Sequence, residues 1–93
     1  MERLVVANWK MNPKTLKAAL ILAGSVKRQL RNVRGVRIVI CPPFPYLAAV
    51  ARQLKHSSLE LGAQDAVSLP MLKALGCAFV ILGHSDLRRL GET

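Results

Sequence analysis

Ninety-three residues with 52% hydrophobic side chains make one small domain with a modest core, too short for two domains and too apolar for disorder. The charge is lopsided, 14 Lys and Arg against 5 Asp and Glu, and the formal net charge of +9 attracts anions in general without selecting among them. No run reaches the ~18 apolar residues of a spanning helix, and Met1-Glu2-Arg3-Leu4 lacks the basic-then-apolar plan of a signal peptide, so a cytoplasmic location is the expectation.

The first element is the apolar run Leu4–Ala7, which ends abruptly in Asn8-Trp9-Lys10-Met11-Asn12. Asn12 followed by Pro13 has the form of an N-cap and first helical position. Leu16, Leu20, Ala23, Val26 and Leu30 then recur on one face of a helix. Gly24 weakens the middle of that helix by about 1 kcal/mol relative to Ala, and Gly35 suits the turn into a second strand, Arg37–Cys41. Cys41-Pro42-Pro43 ends strand pairing and stiffens the loop into a second helix, whose apolar face is Tyr46, Leu47, Val50 and Leu54. A third strand, Leu59–Ala63, ends in Gln64. A short third helix starts near Ser68 with Pro70 early in it, buries Leu72 and Leu75, and stops at Gly76. The fourth strand, Ala78–Leu82, runs into Gly83-His84-Ser85-Asp86, where Ser85 is placed to cap a last helical turn through Leu90.

Strand and helix alternate with short connections, which calls for an α/β fold with a parallel sheet and right-handed crossovers. Near-continuous apolar strands agree, since both faces of such a sheet are covered. Cys41 and Cys77 lie at the edges of apolar runs, without metal-ligand spacing, and are expected to be buried free thiols. The basic residues are spread along the chain without the aromatic interleaving that stacks bases. Solvated helix faces are the favoured reading of them, and a small basic module binding anions or nucleic acid is the alternative.

The carboxyl ends of parallel strands open on one face, where ligands bind. Asn8 and Lys10 are alternate residues at the first such end, so a continued strand would project both together. Lys10 offers a compact positive charge for a phosphate or a developing oxyanion, and Asn8 a neutral hydrogen bond. His84 follows the last strand, where an imidazole suits acid–base work or the polarising of a carbonyl. A helix starting at Ser85 and Asp86 would disfavour a proton on that ring and keep it a neutral N–H donor. Spacing alone also leaves open a loop Asn, a solvated Lys and a backbone-bonded His. Gln64 points to the same face with a structural role favoured, and His56 is read as a surface residue. No GxGxxG, phosphate loop, nucleophile elbow or zinc spacing is present.

Asn8-Trp9-Lys10-Met11-Asn12, Cys41-Pro42-Pro43-Phe44, Leu61-Gly62-Ala63-Gln64 and Ile81-Leu82-Gly83-His84-Ser85 resemble, in order and at fitting distances, the first part of triosephosphate isomerase, and the resemblance covers essentially all 93 residues. It implies that residues 1–93 are a single N-terminal portion of a TIM (β/α)8 barrel, about its first four strands and three helices. It also implies interconversion of dihydroxyacetone phosphate and glyceraldehyde 3-phosphate, a step of glycolysis and gluconeogenesis, without cofactor or metal, by an enzyme that is usually a homodimer. Asn8 and Lys10 match the family's substrate-binding and electrostatic pair, and His84 its catalytic electrophile; Asp86 and Gln64 match supporting positions.

Departures from the family pattern matter as well. Asp86 stands where the family has a glutamate, and Leu87 where it has the first of two tandem arginines; Arg88 fits the second. The stretch Asp65–Pro70 is much shorter than the family's third loop, which reaches into the partner subunit, and this weighs against the usual dimer. The family's glutamate base follows the sixth strand and its phosphate-binding backbone follows strands seven and eight. Neither has a counterpart here, and Glu92 is no stand-in. Four strands cannot close a barrel, so open edges, an open inner face, marginal stability or self-association, and negligible isomerase activity of this chain alone are expected. Complementation by a separate chain supplying strands five to eight, and a non-functional remnant, are the further possibilities carried forward.

Overall fold

A computed structural model describes residues 3–65, 69–82 and 86–90, without the side chains of Leu69 and Asp86. The chain forms β1 (Arg3–Asn8), α1 (Leu16–Gln29), β2 (Val36–Cys41), a 3-10 turn (Phe44–Tyr46), α2 (Leu47–Gln53), β3 (Glu60–Ala63), α3 (Leu69–Ala74), β4 (Cys77–Leu82) and β5 (Asp86–Arg89). The strands make one sheet in the order β1-β2-β3-β4-β5. The first three pairings are parallel, as the alternation of elements requires, and this is the arrangement of a partial TIM barrel.

Parallel register sets which residues share a face. Val6 lies beside Val39 and Asn8 beside Cys41 on the inner face, while Ala7 lies beside Ile40 on the face turned to the helices. On the helix side Ile40, Leu61, Ala63 and Val80 pack against Ala23, Leu47, Val50, Leu54 and Leu72. On the inner side Val39, Cys41, Phe79 and Ile81 form a second cluster. Gly62 lies between the two strands of that cluster, where a Cβ would stand 2.6 Å from Cys41 Sγ and 2.8 Å from Val39 Cγ1. Only a glycine fits that approach.

Two expectations for α1 are corrected. Its N-cap is Thr15, whose extended backbone (φ −132°, ψ 153°) lets Oγ1 accept from the Ala18 amide at 3.1 Å. Asn12 instead lies three residues before that cap, where its backbone amide closes a turn by donating to the Trp9 carbonyl. Of the expected face Ala23 is buried and Val26 and Leu30 pack partly buried against the helix-side core, but Leu16 is 46% exposed, and Ala19 and Gly24 are buried beside Ala23. Small residues win that face because α2 lies close: a Cβ at Gly24 would meet Gln53 Nε2 at 3.1 Å. The helix-weakening glycine is therefore a contact point between helices. Helices α2 and α3 bury the expected Leu47, Val50, Leu54 and Leu72, and α3 gives way at Gly76, whose φ of +90° suits glycine.

The last segment departs most. Residues expected as a helical turn through Leu90 form β5, antiparallel to β4, with Phe79 opposite Arg89, Val80 opposite Arg88, Ile81 opposite Leu87 and Leu82 opposite Asp86. A helical turn would leave the β4 amides and carbonyls on that side without partners, and pairing satisfies them. Leu87 also packs on the inner cluster. The expectation of an open inner face fails for the same reason, since Val39, Cys41, Phe79 and Ile81 are 0 to 6% exposed. The sheet keeps two edge strands, β5 and β1, and at β1 Leu4 is 44% and Val5 50% exposed.

Candidate active site

The carboxyl ends of β1, β2 and β3 are drawn together at one backbone atom. The Cys41 carbonyl oxygen accepts from the Trp9 amide at 3.0 Å and from Gln64 Nε2 at 2.9 Å. A carbonyl has two lone pairs, and here both are used, one toward β1 and one toward β3. Gln64 thus acts structurally, bracing strand ends through the backbone. Trp9 adds an apolar anchor, because its half-buried ring packs against the helix-side core. This clasp holds the segment that carries Asn8 and Lys10.

Strand alternation does not extend to Lys10, which corrects the expectation that Asn8 and Lys10 project as alternate strand residues. β1 ends at Asn8, whose Oδ1 accepts from the Lys10 amide at 2.9 Å. Lys10 takes a left-handed backbone with φ 56°. For a residue with a Cβ this costs roughly 1 kcal/mol or more, and the Asn8 side chain offsets part of it by satisfying the amide. Strain of this kind collects at functional sites. The exposed Lys10 lines a cleft of about 340 Å³ together with Lys14, Pro43, Phe44, Tyr46 and Gln64. Two ammonium groups in one cleft favour an anionic occupant.

His84 lies outside the described residues, with Gly83 and Ser85, as does Glu92. β4 runs to Leu82, two positions before His84 in the sequence. Asp86 is the first residue of β5, opposite Leu82, and its side chain lies outside the described residues. Much of the shortened Asp65–Pro70 stretch is likewise undescribed, since residues 66–68 are outside.

Both cysteines are free and buried, as expected. Burial, with Cys77 nearby, pushes the Cys41 thiol from 9.0 up to about 12. Burial alone pushes Cys77 up to about 11. Neither is an activated nucleophile. Among the described residues no group of three or more His, Cys, Asp or Glu is placed to hold a metal ion, and no helix is long and apolar enough to cross a membrane.

At the opposite end of the inner face lies a pair that residue-by-residue reading missed. Arg37 donates to Glu60, Nη2 to Oε1 at 2.8 Å and to Oε2 at 3.0 Å, and its guanidinium carbon lies 5.4 Å from the Phe79 ring centroid. The usable signal was two opposite charges interrupting neighbouring apolar strands. Each side chain is 28% exposed, which limits the pair's worth to about 1 kcal/mol.

The family model for triosephosphate isomerase matches residues 3–93. The chain belongs to the triosephosphate isomerase family. It is 36% identical to the triosephosphate isomerase of Aquifex aeolicus over 100% of this chain and 42% of that protein. With that of Symbiobacterium thermophilum it shares 44% identity over 97% of this chain and 40% of the relative. The Dehalococcoides mccartyi strain BAV1 enzyme is 41% identical over 100% of this chain and 41% of the relative. The chain therefore spans about two-fifths of the length of these curated relatives, triosephosphate isomerases by name and so intramolecular isomerases. Family membership accounts for the parallel order of β1 to β4 and for polar residues gathered at the carboxyl ends of apolar strands.

Proposed function

We propose that this chain supplies the electrophilic and electrostatic side of a triosephosphate isomerase site acting on dihydroxyacetone phosphate and glyceraldehyde 3-phosphate. The observation that carries the proposal is the strained Lys10, held by Asn8 Oδ1 beside the clasped strand ends. Lys10 brings a fixed positive charge to the substrate's developing enediolate oxygen and phosphate. Asn8 donates a hydrogen bond from Nδ2, and a neutral His84 donates its N–H to the carbonyl oxygen, the established role of the family's histidine. Polarising that carbonyl acidifies the neighbouring C–H, and the proton leaves to a carboxylate and returns to the adjacent carbon, so no redox partner is needed. That carboxylate, the family's glutamate, and the phosphate-binding backbone belong to the part of the barrel these residues do not span. Turnover is therefore assigned to the completed barrel, with triose phosphate as substrate and the shortened Asp65–Pro70 stretch weighing against the family's usual dimer. The setting is a glycolytic, cytoplasmic one.

The net charge of +9 does not by itself favour the nucleic-acid alternative, because the basic residues are spread along the chain without the aromatic interleaving that stacks bases. Lys27 Nζ donates to the Gln53 and Lys55 carbonyls, both at 3.1 Å, and so caps the carboxyl end of α2.

A coupled assay on the 93-residue chain, alone and mixed with the complementary segment of a relative, tests the proposal. Turnover is expected only in the mixture. Turnover by the chain alone, removed by His84→Gln, would contradict the division of labour.

A further inference from the structure

Between the carboxyl end of α1 and the connection from α2 to β3 lies a cavity of about 200 Å³, lined by Lys27, Arg31, His56, Ser57 and Ser58. Every lining residue is polar, each ionisable one is basic, and no carboxylate is among them. Basic groups gathered in one recess without acids raise the local positive potential well above that of scattered surface charges. We propose that this recess binds a phosphoryl oxyanion, either free phosphate or the terminal group of a small phosphomonoester, at a site separate from the strand-end cleft.

The chain builds the recess from three directions. Carbonyls at the carboxyl end of a helix repel an anion, and Lys27 removes that obstacle at α2, where its Nζ donates to the Gln53 and Lys55 carbonyls, both at 3.1 Å. Those two bonds fix the ammonium in place, and an ammonium carries a third donor. Arg31, two residues past the end of α1, adds a planar guanidinium whose fork matches a phosphate. On the far wall Ser57 pins the connection, its Oγ donating to the Leu54 carbonyl at 2.6 Å and accepting from the Leu59 amide at 3.3 Å. His56 beside it takes a left-handed backbone with φ 64°. Glycine would hold that turn without strain but would bring no side chain; histidine brings an imidazole to the wall. The nearest acid along the chain, Glu60, is bound to Arg37 at 2.8 Å rather than to these cations.

Position separates the recess from the proposed chemistry. Residues 56–58 precede β3, so the recess lies at the amino ends of the strands, whereas Lys10 and Gln64 stand at the carboxyl ends. None of its residues belongs to β1 or β4, whose outer edges a completed barrel pairs, so the site is common to the chain alone and to the whole barrel. An anion held there ties α1 to the α2–β3 connection and stabilises the fold by linkage.

Amide NMR titration tests the inference on the 93-residue chain, alone and joined to the complementary segment of a relative. Potassium phosphate is added near neutral pH, with potassium chloride holding ionic strength constant. Saturable shifts are expected at Lys27, Arg31 and residues 56–58, with a melting temperature that rises over the same concentrations. Arg31→Gln should weaken binding at least about tenfold, the loss of one charge-assisted pair. His56→Gly should also weaken it while melting no lower than the wild type, because glycine suits the left-handed turn; a purely structural histidine would not separate affinity from stability in this way. Lys10→Met should leave these shifts unchanged. Glycerol 3-phosphate distinguishes the two sources: an affinity equal to that of phosphate assigns the site to esters as well, and a much weaker one assigns it to the free ion. The inference is overturned if chloride alone reproduces the shifts, if Arg31→Gln and His56→Gly both bind as the wild type does, or if Lys10→Met abolishes the shifts.

Discussion

The first and the last of the parallel strands are built in opposite ways. At β4 the chain turns back on itself, and the strand beneath is nearly dry, with Phe79 5%, Val80 2% and Ile81 6% exposed. At β1 nothing among the described residues turns back, and Leu4 and Val5 are about half exposed. The difference separates what these residues complete for themselves from what they leave to be completed. The helix-side core, the inner cluster and the β4 edge are closed by local sequence; the β1 edge and the strand-end face above it are open. The residues proposed to meet substrate, Asn8 and Lys10, stand on the open side.

The strongest way to break this comparison is to shorten one side chain on each edge. Ile81→Ala should destabilise the fold by roughly 2–4 kcal/mol, because it hollows a packed cluster, whereas Val5→Ala, half in solvent, should cost about 0.5 kcal/mol or less. Equal costs in urea melts would mean that the two edges are packed alike. The interior between them is probed by Gly62→Ala. Its new Cβ would stand 2.6 Å from Cys41 Sγ, and overpacking of this kind costs about 1–3 kcal/mol. A variant as stable as the wild type would show that β2 and β4 are not drawn together across Gly62.

A smaller, pH-dependent effect reports on the same cluster. The folded chain holds the Cys41 and Cys77 thiols protonated until about 12 and about 11, while in the unfolded chain both ionise near 9.0. Above the unfolded value the unfolded state binds fewer protons than the native one, so stability should fall as pH rises through the window from 9.0 toward 12. Below that window both states are protonated, and the thiols contribute no slope. Cys41→Ala with Cys77→Ala should flatten the alkaline limb of the stability curve, measured by denaturant melts from pH 8 to 11. An unchanged limb would show that the thiols are not desolvated.

Much of this architecture was legible in the residues. The four parallel strands and three helices follow from apolar runs, proline and glycine punctuation and helical spacing, and all were placed within a residue or a few of where they lie. The misses have one physical origin, tertiary contact overriding local preference. On α1, Ala23, Val26 and Leu30 face the core as the spacing suggests, but the closeness of α2 also buries Ala19 and Gly24, and Leu16 is left exposed. At Asp86–Arg89 no strand pattern exists, since three of the four residues are charged, and the unpaired edge of β4 dictates the strand. At the candidate site, Asn8, Lys10 and Gln64 were legible as polar residues on strand ends. The clasp at the Cys41 carbonyl was not, because a backbone acceptor leaves no mark in the sequence. The left-handed Lys10 was not either, because that conformation usually announces itself with glycine or asparagine.

The central claim is that Asn8, Lys10 and His84 are the electrophilic and electrostatic side of an isomerase site. The most direct measurement joins these 93 residues to the remaining segment of the Symbiobacterium thermophilum relative in one chain and compares kcat/KM for the unaltered fusion, Lys10→Met and His84→Gln. The account predicts an active fusion and losses of at least about 100-fold for each substitution, with folding intact by circular dichroism. An active fusion that keeps its kcat/KM after either substitution would contradict it.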